Sequence, residues 1–189
     1  MARKPTQQRA AATYEKLLDA AGTLLAEVGV ERISTNRVAA QAGVSPPTLY
    51  HYFADKYDLL TALGERLMVR QNALVTRDSG QDEAEIAGVL VAHVDLTRAS
   101  PGGPWVMRML RAVPQLAEVR LASHRELSAM LARQAWIADP WADKAMLERK
   151  ARLAVDLGYA AIELVFDEPA LSVEAVMADA ARAIRAVLT

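Results

Sequence analysis

Cysteine is absent from the 189 residues of the chain. That absence excludes disulfides, a thiolate nucleophile and a cysteine-bound zinc ion. Long hydrophobic runs are also missing, because the longest strongly apolar stretch, Ile86 to Val94, falls far short of the ~20 residues that a membrane span needs. The residues from Met1 to Thr6 are polar and do not resemble a signal peptide. We therefore expect a soluble, cytoplasmic protein with no membrane partner.

The sequence also lacks the motifs that mark common enzymes. It contains no Gly-x-Ser-x-Gly, no His-Glu-x-x-His and no glycine-rich phosphate loop. His93 and Asp95 are two residues apart, which places them on different faces of a helix and makes a poor metal site. We expect neither enzymatic activity nor a cofactor, and no bound metal.

Charge is nearly balanced, with 22 Lys and Arg against 23 Asp and Glu, a net charge of −1. This balance argues against a protein that coats nucleic acid. Up to Lys56, however, seven basic residues face five acidic ones, which is a weak indication of DNA contact. Arg3, Lys4 and Arg9 fit either an arm along the minor groove or an unstructured tail.

Apolar residues recur at helical spacing almost everywhere, and no segment shows the alternation of a strand. The sequence predicts an all-α chain of about nine helices, with an N-terminal domain over residues 1–57 and a larger helical domain over 58–189. A first helix carrying Tyr14 on its apolar stripe should end at Gly29. Later helices are expected from Asp55 to about Arg77, Asp82 to Arg98, Trp105 to Arg111, Pro114 to Ile137, Asp139 to Phe166, and after Ser172.

Two short helical segments follow Gly29. Ser34 or Thr35 can cap the first, Gly43 supplies a turn, and Ser45 caps the second with Pro46 at its first position. The spacing turns five apolar side chains inward: Val38, Ala39, Ala42, Leu49 and Phe53. Two short helices joined by a tight glycine turn form a helix-turn-helix.

The stretch from Ile33 to Leu60 closely resembles the DNA-binding domain of TetR-type transcriptional regulators. Three features carry the likeness at the family spacing: the Ala-Gly-Val-Ser turn, the Thr-Leu-Tyr-x-x-Phe helix, and the lysine before Leu59-Leu60. The resemblance covers about residues 10–60 and implies a three-helix DNA-binding domain followed by a ligand-binding and dimerisation domain. The later helices resemble the family only in number, length and order.

The resemblance implies that the helix from Ser45 lies in the DNA major groove. Positions that touch bases or backbone there are Pro46, Pro47, Tyr50 and His51; other contacts match Thr35, Asn36, Thr48, Tyr52 and Lys56. Independently, the helix starts at Thr35, Ser45 and Lys56 suit phosphate. Because Tyr50 and Tyr52 flank the inward Phe53, the three rings cannot all be buried in one small core. The Pro46-Pro47 pair departs from many family members and cannot donate a hydrogen bond to guanine. The base sequence of the operator is therefore left undetermined.

In the family, a pocket in the second domain binds a small molecule. The candidate lining residues here are His93, Trp105, Met109 and Trp136. A residue of these types on a helix is more often part of the core or the surface, and that alternative stays open for each. His124 lies close to Arg120 and Arg125 along the chain and fits a solvated face as well as a pocket.

The helix predicted from Asp139 is apolar on two faces. Its row of small residues comprises Ala151, Ala154, Gly158, Ala161 and Val165, and Ile184 lies on the apolar stripe of the last helix. Small residues permit close helix packing, and a second apolar face needs a cover. We predict a homodimeric four-helix bundle through these residues. The alternative is a helix at the centre of a monomeric bundle.

These observations favour a homodimeric repressor that binds a pseudo-palindromic double-stranded operator and is released by a small-molecule effector of unknown identity. Two other classes remain open. One is a helical small-molecule-binding or enzymatic bundle whose front motif no longer serves DNA binding. The other is a regulator whose effector is a protein, or which has none.

Overall fold

A computed structural model of the chain describes residues 8–76 and 82–189. Within these ranges every regular element is helical, which confirms the all-α prediction. The elements are α1 (Gln8–Arg32), α2 (Thr35–Gln41), α3 (Pro46–Tyr52), α4 (Lys56–Asn72), α5 (Glu83–Ala99), α6 (Gly103–Ala112), a 3-10 turn (Pro114–Leu116), α7 (Ala117–Ala138), α8 (Lys144–Asp167) and α9 (Val173–Leu188). No helix in the described ranges has the length and apolarity required to cross a membrane.

Some predictions fall on residues that the structure does not describe. They are the gap over residues 78–81 between two predicted helices, and the contribution of Arg3 and Lys4 to a basic arm. These stay predictions.

Helix starts follow the local sequence closely. The side chains of Ser34, Ser45 and Ser172 each accept a hydrogen bond from a backbone N–H three residues on, as N-cap residues do. Asp82 likewise accepts from the backbone N–H of Glu85, at 2.8 Å. The starts predicted at Ser34, Ser45, Asp82 and Ser172 are therefore confirmed, and Gly43 takes the left-handed φ of 63° that its turn requires.

Three predicted helix boundaries are wrong. The helix expected to run to about Arg77 ends at Asn72, and residues 73–76 are not helical. The helix expected from Asp139 begins at Lys144, because Asp143 is its N-cap and accepts from the N–H groups of Ala145 and Met146. Asp139 instead accepts from the N–H of Trp141 within a turn. Helix α1 kinks at Gly29, where φ is 73° and ψ is 170°, and helical structure then continues to Arg32.

The chain forms two compact units. The first comprises Met1–Met68 and Arg98–Arg120, and the second comprises Val69–Thr97 and Leu121–Thr189. Helices α4, α5 and α7 therefore contribute residues to both. The boundary predicted between residues 57 and 58 stays a prediction.

The first unit is built around α1. Leu17, Leu18 and Leu25 are almost fully buried along one face of this helix. On another side, the Arg66 guanidinium of α4 donates to Glu15 Oε2 and Asp19 Oδ1, each at 2.8 Å, and this bifurcated ion pair joins α4 to α1. Helix α6 packs against α1 as well.

The close approach between α1 and the turn before α6 depends on glycine. A Cβ atom on Gly22 would lie 2.1 Å from the carbonyl oxygen of Pro101, and one on Gly102 would lie 2.0 Å from the carbonyl oxygen of Gly22. Both obstacles are backbone atoms, which cannot rotate away. The two segments therefore meet at a distance that only residues without side chains permit.

We predict that Gly22→Ala lowers the free energy of unfolding by about 2–3 kcal/mol, because the helix and the turn must separate. The matched control is Gly88→Ala in the exposed part of α5, where an added Cβ meets nothing within 4 Å. That change should raise stability by up to about 1 kcal/mol through helix propensity. Urea denaturation at one fixed protein concentration measures both, and equal stabilities for the two variants would contradict the packing argument.

Candidate nucleic-acid interface and ligand cavity

Helix α3 is held against the first unit by its own inward side chains. Leu49 and Phe53 are completely buried, together with Val38 and Ala39 of α2. The Phe53 ring lies 5.1 Å, centroid to centroid, from the ring of Tyr14 on α1. The five residues predicted to turn inward are thus confirmed as buried, Ala42 included.

The opposite face of α3 is open to solvent. Pro46, Pro47, Tyr50 and His51 are all exposed, and Tyr50 is 50% exposed. Their spacing places them on one side of the helix. This face is flat and apolar at its start, with a phenol and an imidazole one turn later.

Hydrogen bonds between hydroxyl groups order the exposed side of the two short helices. Thr35 at the start of α2 and Tyr50 in α3 share a hydrogen bond of 2.9 Å between their hydroxyls. Ser45 and Thr48 share another of the same length. Asn36 is exposed beside Thr35. The contact between Thr35 and Tyr50 fixes where the phenol of Tyr50 lies on the exposed face of α3, which is called the recognition face below.

The expectation that Tyr50, Tyr52 and Phe53 cannot all be buried is confirmed by the exposed Tyr50, but Tyr52, which the family resemblance matches to a phosphate contact, lies in the core. Its side chain is only 8% exposed, and its ring lies edge-on to Tyr14 at 5.9 Å. Tyr14, Tyr52 and Phe53 form one aromatic cluster, which can hold both α3 rings because α1 supplies a third aromatic side chain. Burial, together with the carboxylates of Glu65 and Glu15, raises the pKa of Tyr14 and keeps its hydroxyl neutral.

Lys56 has a structural role that the sequence did not indicate. Its Nζ donates to the carbonyl oxygen of Val30 at 3.3 Å and lies 5.2 Å from the centre of the Tyr57 ring. The ammonium group therefore ties the start of α4 to the end of α1. If Lys56 also contacts a DNA phosphate, its ammonium group must bind the phosphate and the carbonyl oxygen of Val30 at the same time.

Two basic side chains beside the recognition face were missed by the sequence analysis. The Nζ of Lys16 lies 3.7 Å from the position of a Cβ built on Gly43, next to the turn between α2 and α3. Arg37 is exposed on α2 and donates to the carbonyl oxygen of Arg32 at 3.2 Å. The sequence showed both only among the seven basic residues up to Lys56, and the packing of α1 beside α2 brings Lys16 to the turn.

The second unit contains an apolar cavity of about 100 Å³. Side chains from α5, α7, α8 and α9 line it, and most are aliphatic. Its polar members are His93 and Tyr159. The lining residues are Val75, Ile86, Val89, Leu90, His93, Leu127, Leu131, Ala154, Val155, Gly158, Tyr159, Ile162, Ile184 and Leu188.

His93 is the polar group of this cavity that has a fixed hydrogen-bonding direction. Its Nδ1 lies 2.7 Å from the carbonyl oxygen of Val89, which can only accept, so Nδ1 carries the proton. Burial lowers the pKa of His93, and the ring is neutral at pH 7. Its Nε2 is then a hydrogen-bond acceptor.

The other predicted pocket residues lie elsewhere. Trp105 and Met109 belong to the first unit, where Trp105 is 44% exposed and Met109 is buried. Trp136 lines a separate groove on the second unit. His124 is buried rather than solvated, because its Nδ1 meets Asp156 Oδ1 at 2.7 Å and its ring stacks on Tyr159.

The row of small residues predicted as a dimer interface is covered by the chain itself. All six residues, Ala151, Ala154, Gly158, Ala161, Val165 and Ile184, are buried within the second unit. A Cβ on Gly158 would lie 3.1 Å from Leu90 Cδ2. Their small size therefore serves packing among helices of the same chain, and the apolar surface left on α8 is a different stripe.

Comparison with known sequences agrees with the geometry of the first unit. Residues 17–63 match the family described as bacterial regulatory proteins, tetR family. The nucleoid occlusion factor SlmA of Glaesserella parasuis is 29% identical over 104 residues, which are 54% of this chain and 50% of that protein. The chain thus spans about half the length of this curated relative. The class D tetracycline repressor of Escherichia coli is 36% identical over 58 residues, 31% of this chain and 27% of the repressor.

Solved structures share the fold of nearly the whole chain. SmeT, the repressor of the Stenotrophomonas maltophilia multidrug efflux pump SmeDEF, superposes with a TM-score of 0.71 at 21% identity, covering 95% of this chain and 91% of SmeT. A complex of SmeT with triclosan gives a TM-score of 0.73 at 20% identity, covering 93% and 90%. At this identity the likeness concerns the fold alone.

A helix-turn-helix with an exposed second helix, on a chain whose described part is all helical, is the arrangement found in the DNA-binding domains of transcription regulators. Residues 17–63 of the chain are thus a helix-turn-helix domain of the tetR family.

Proposed function

We propose that the chain is a homodimeric repressor that binds a pseudo-palindromic operator through α3 and leaves it when a small apolar ligand fills the cavity of the second unit. The observation that carries this proposal is the exposed face of Pro46, Pro47, Tyr50 and His51, on a helix whose other side is completely buried. A helix anchored in this way presents a fixed set of side chains to the major groove.

Each group on this face has a definite capacity. The two proline rings lack N–H donors and suit contact with a thymine methyl group. The Tyr50 hydroxyl, held by Thr35, and the exposed amide of Asn36 can donate to phosphate or to bases. The cations of Lys16 and Arg37 lie beside the same helices and supply charge that does not depend on sequence.

Tyr50→Ala and Lys16→Ala should separate two kinds of DNA contact. We expect Tyr50→Ala to weaken binding to the operator by about tenfold while changing binding to random DNA less, because it removes a contact on the recognition face. Lys16→Ala should weaken both and lower the slope of log affinity against log salt by about 1. Fluorescence anisotropy with DNA flanking the gene, at several salt concentrations, measures these effects.

The control for both is Trp105→Ala, which removes an exposed aromatic side chain of the same unit away from the helix-turn-helix. It should leave both affinities unchanged. If all three variants bind operator and random DNA as the unaltered protein does, α3 is not the recognition element. That result would support the alternative, in which the front domain does not bind DNA.

A dimer is proposed through the exposed apolar stripe of α8. Leu153 is 49% exposed and Leu164 is 42% exposed, and Leu157 and Ala160 lie between them at helical spacing. Helix α9 packs directly beside α8. A two-fold axis through this stripe would pair the two helices with their copies in a four-helix bundle and present the two α3 helices to half-sites about 34 Å apart, or a multiple of that spacing.

Leu164→Asp should convert the dimer to a monomer, because it places a carboxylate within the apolar stripe. Sedimentation velocity over a range of concentrations measures the change, and operator affinity should fall with it since one half-site is lost. The control is Leu171→Asp, which alters a similarly exposed leucine in the segment before α9. A Leu164→Asp protein that sediments like the control would contradict the proposed interface.

The ligand proposal rests on the cavity lined by His93 and aliphatic side chains. A volume of about 100 Å³ suits a compact molecule, and the lining favours one without charge. Neutral His93 can accept one hydrogen bond at Nε2. To release DNA, such a ligand must have a higher affinity for the DNA-free conformation of the protein than for the DNA-bound conformation. The triclosan complex of SmeT is consistent with a ligand of this apolar class.

Ala154→Met should abolish the response to ligand while sparing DNA binding, because the longer side chain fills the cavity. We expect a panel that includes indole and toluene to raise the melting temperature of the unaltered protein and to lower its operator affinity. Ala145→Met, at an exposed position of α8, is the control and should respond as the unaltered protein does. A panel response that survives in Ala154→Met would place the effector elsewhere.

A further inference from the structure

A second depression lies on the surface of the same unit, between α7 and the first half of α8. Its volume is about 530 Å³, and it shares no lining residue with the apolar cavity. Small side chains open it, because Ser128, Ala129 and Ala132 occupy successive turns of α7 where larger residues would close the gap. Trp136, which is 44% exposed, forms one end of its wall.

The charge of this groove is strongly positive. Arg125, Arg133, Lys144 and Arg152 line it, and Glu148 is the single acid among the lining residues. The net charge of the lining is therefore +3, in a chain whose overall net charge is −1. Four cations that converge on one concave surface repel one another, and a bound anion would relieve that repulsion.

Two ion pairs offset part of this positive charge. Glu148 Oε1 lies 3.9 Å from Lys144 Nζ, at the limit of an ion pair, and both side chains are largely exposed. Arg152 Nε donates to Asp156 Oδ2 at 3.1 Å, but its Nη1 is buried and makes no hydrogen bond to any residue in the described part of the chain. Arg133 is exposed and has no ion pair among the described residues.

We propose that this groove binds a small amphipathic carboxylate, with the carboxylate on the arginines and an aromatic or aliphatic body on Trp136 and the alanine floor. The guanidinium groups match a carboxylate because their planar N–H forks donate two parallel hydrogen bonds. Trp136 and Ala129 offer apolar surface for the rest of the molecule. This ligand class is distinct from the uncharged one proposed for the cavity, and the groove does not depend on DNA binding.

Titration of the ¹⁵N-labelled protein with 1-naphthoate tests the proposal. The chain has three tryptophans, so each indole N–H signal can be assigned by substitution. We expect saturable shifts of the Trp136 signal and none of the Trp105 signal, with weaker binding at higher salt. The neutral isostere 1-naphthamide should bind at least about threefold more weakly, because it lacks the charge that the arginines recognise.

Variants then locate the site. Arg133→Ala should weaken naphthoate binding about three- to tenfold, and Ala129→Leu should block it by filling the groove from an exposed position. Arg149→Ala removes an exposed arginine of α8 that does not line the groove and should have no effect. Ala154→Met, which fills the cavity, should also leave naphthoate binding intact, so the failure of one ligand proposal does not decide the other.

Three results would overturn the proposal. The first is a Trp136 signal that does not shift or does not saturate. The second is equal binding of naphthoate and naphthamide. The third is a loss of affinity in Arg133→Ala that is no larger than in Arg149→Ala.

Discussion

The recognition helix depends on the packing of three aromatic rings. Helix α3 has seven residues, too few for a helix to persist in water on its own. Its position is fixed because Tyr52 and Phe53 lie against Tyr14 of α1 while Leu49 is completely buried beneath them. Every property of the exposed face follows from that contact, including the bond between Tyr50 and Thr35. Helix α1 is itself held by close packing, which includes the backbone contact between Gly22 and the turn before α6.

The sequence predicted well the features that are set by near neighbours along the chain. The caps at Ser34, Ser45 and Ser172 depend on a hydroxyl and a backbone N–H three residues away, so the residue types suffice. The errors concern distant partners. Tyr52 is buried because Tyr14 packs on it, and His124 is buried because Asp156 and Tyr159 meet it; all three partners lie more than thirty residues away in the sequence. Periodicity identifies an apolar or polar face but not the element that covers it.

Helix α8 illustrates the same limit in a more consequential way. Two apolar faces are visible in its sequence, and the row of small residues was the plausible choice for contact with another subunit. In the structure, Gly158 and its neighbours pack on Leu90 and Ile184 of the same unit, and Leu153 and Leu164 remain exposed. The small residues therefore indicate close packing between helices, but they do not indicate whether the other helix belongs to the same chain or to a second copy. Which face is free depends on how the remaining helices close around α8, and that is a property of the whole unit.

The second unit separates two chemistries that one pocket could not combine. Beside the cavity, buried polar groups already satisfy one another: Gln71 donates to Thr97 at 2.8 Å, and Thr97 donates to the carbonyl oxygen of His93 at 2.7 Å. Among the residues that the structure describes, no cation lines that cavity, so a carboxylate entering it would lose its hydration without an opposite charge in return. The groove between α7 and α8 has the reverse character, with cations at its rim and solvent within reach. Charge therefore distinguishes the two sites, and the two proposed ligand classes would not compete with each other.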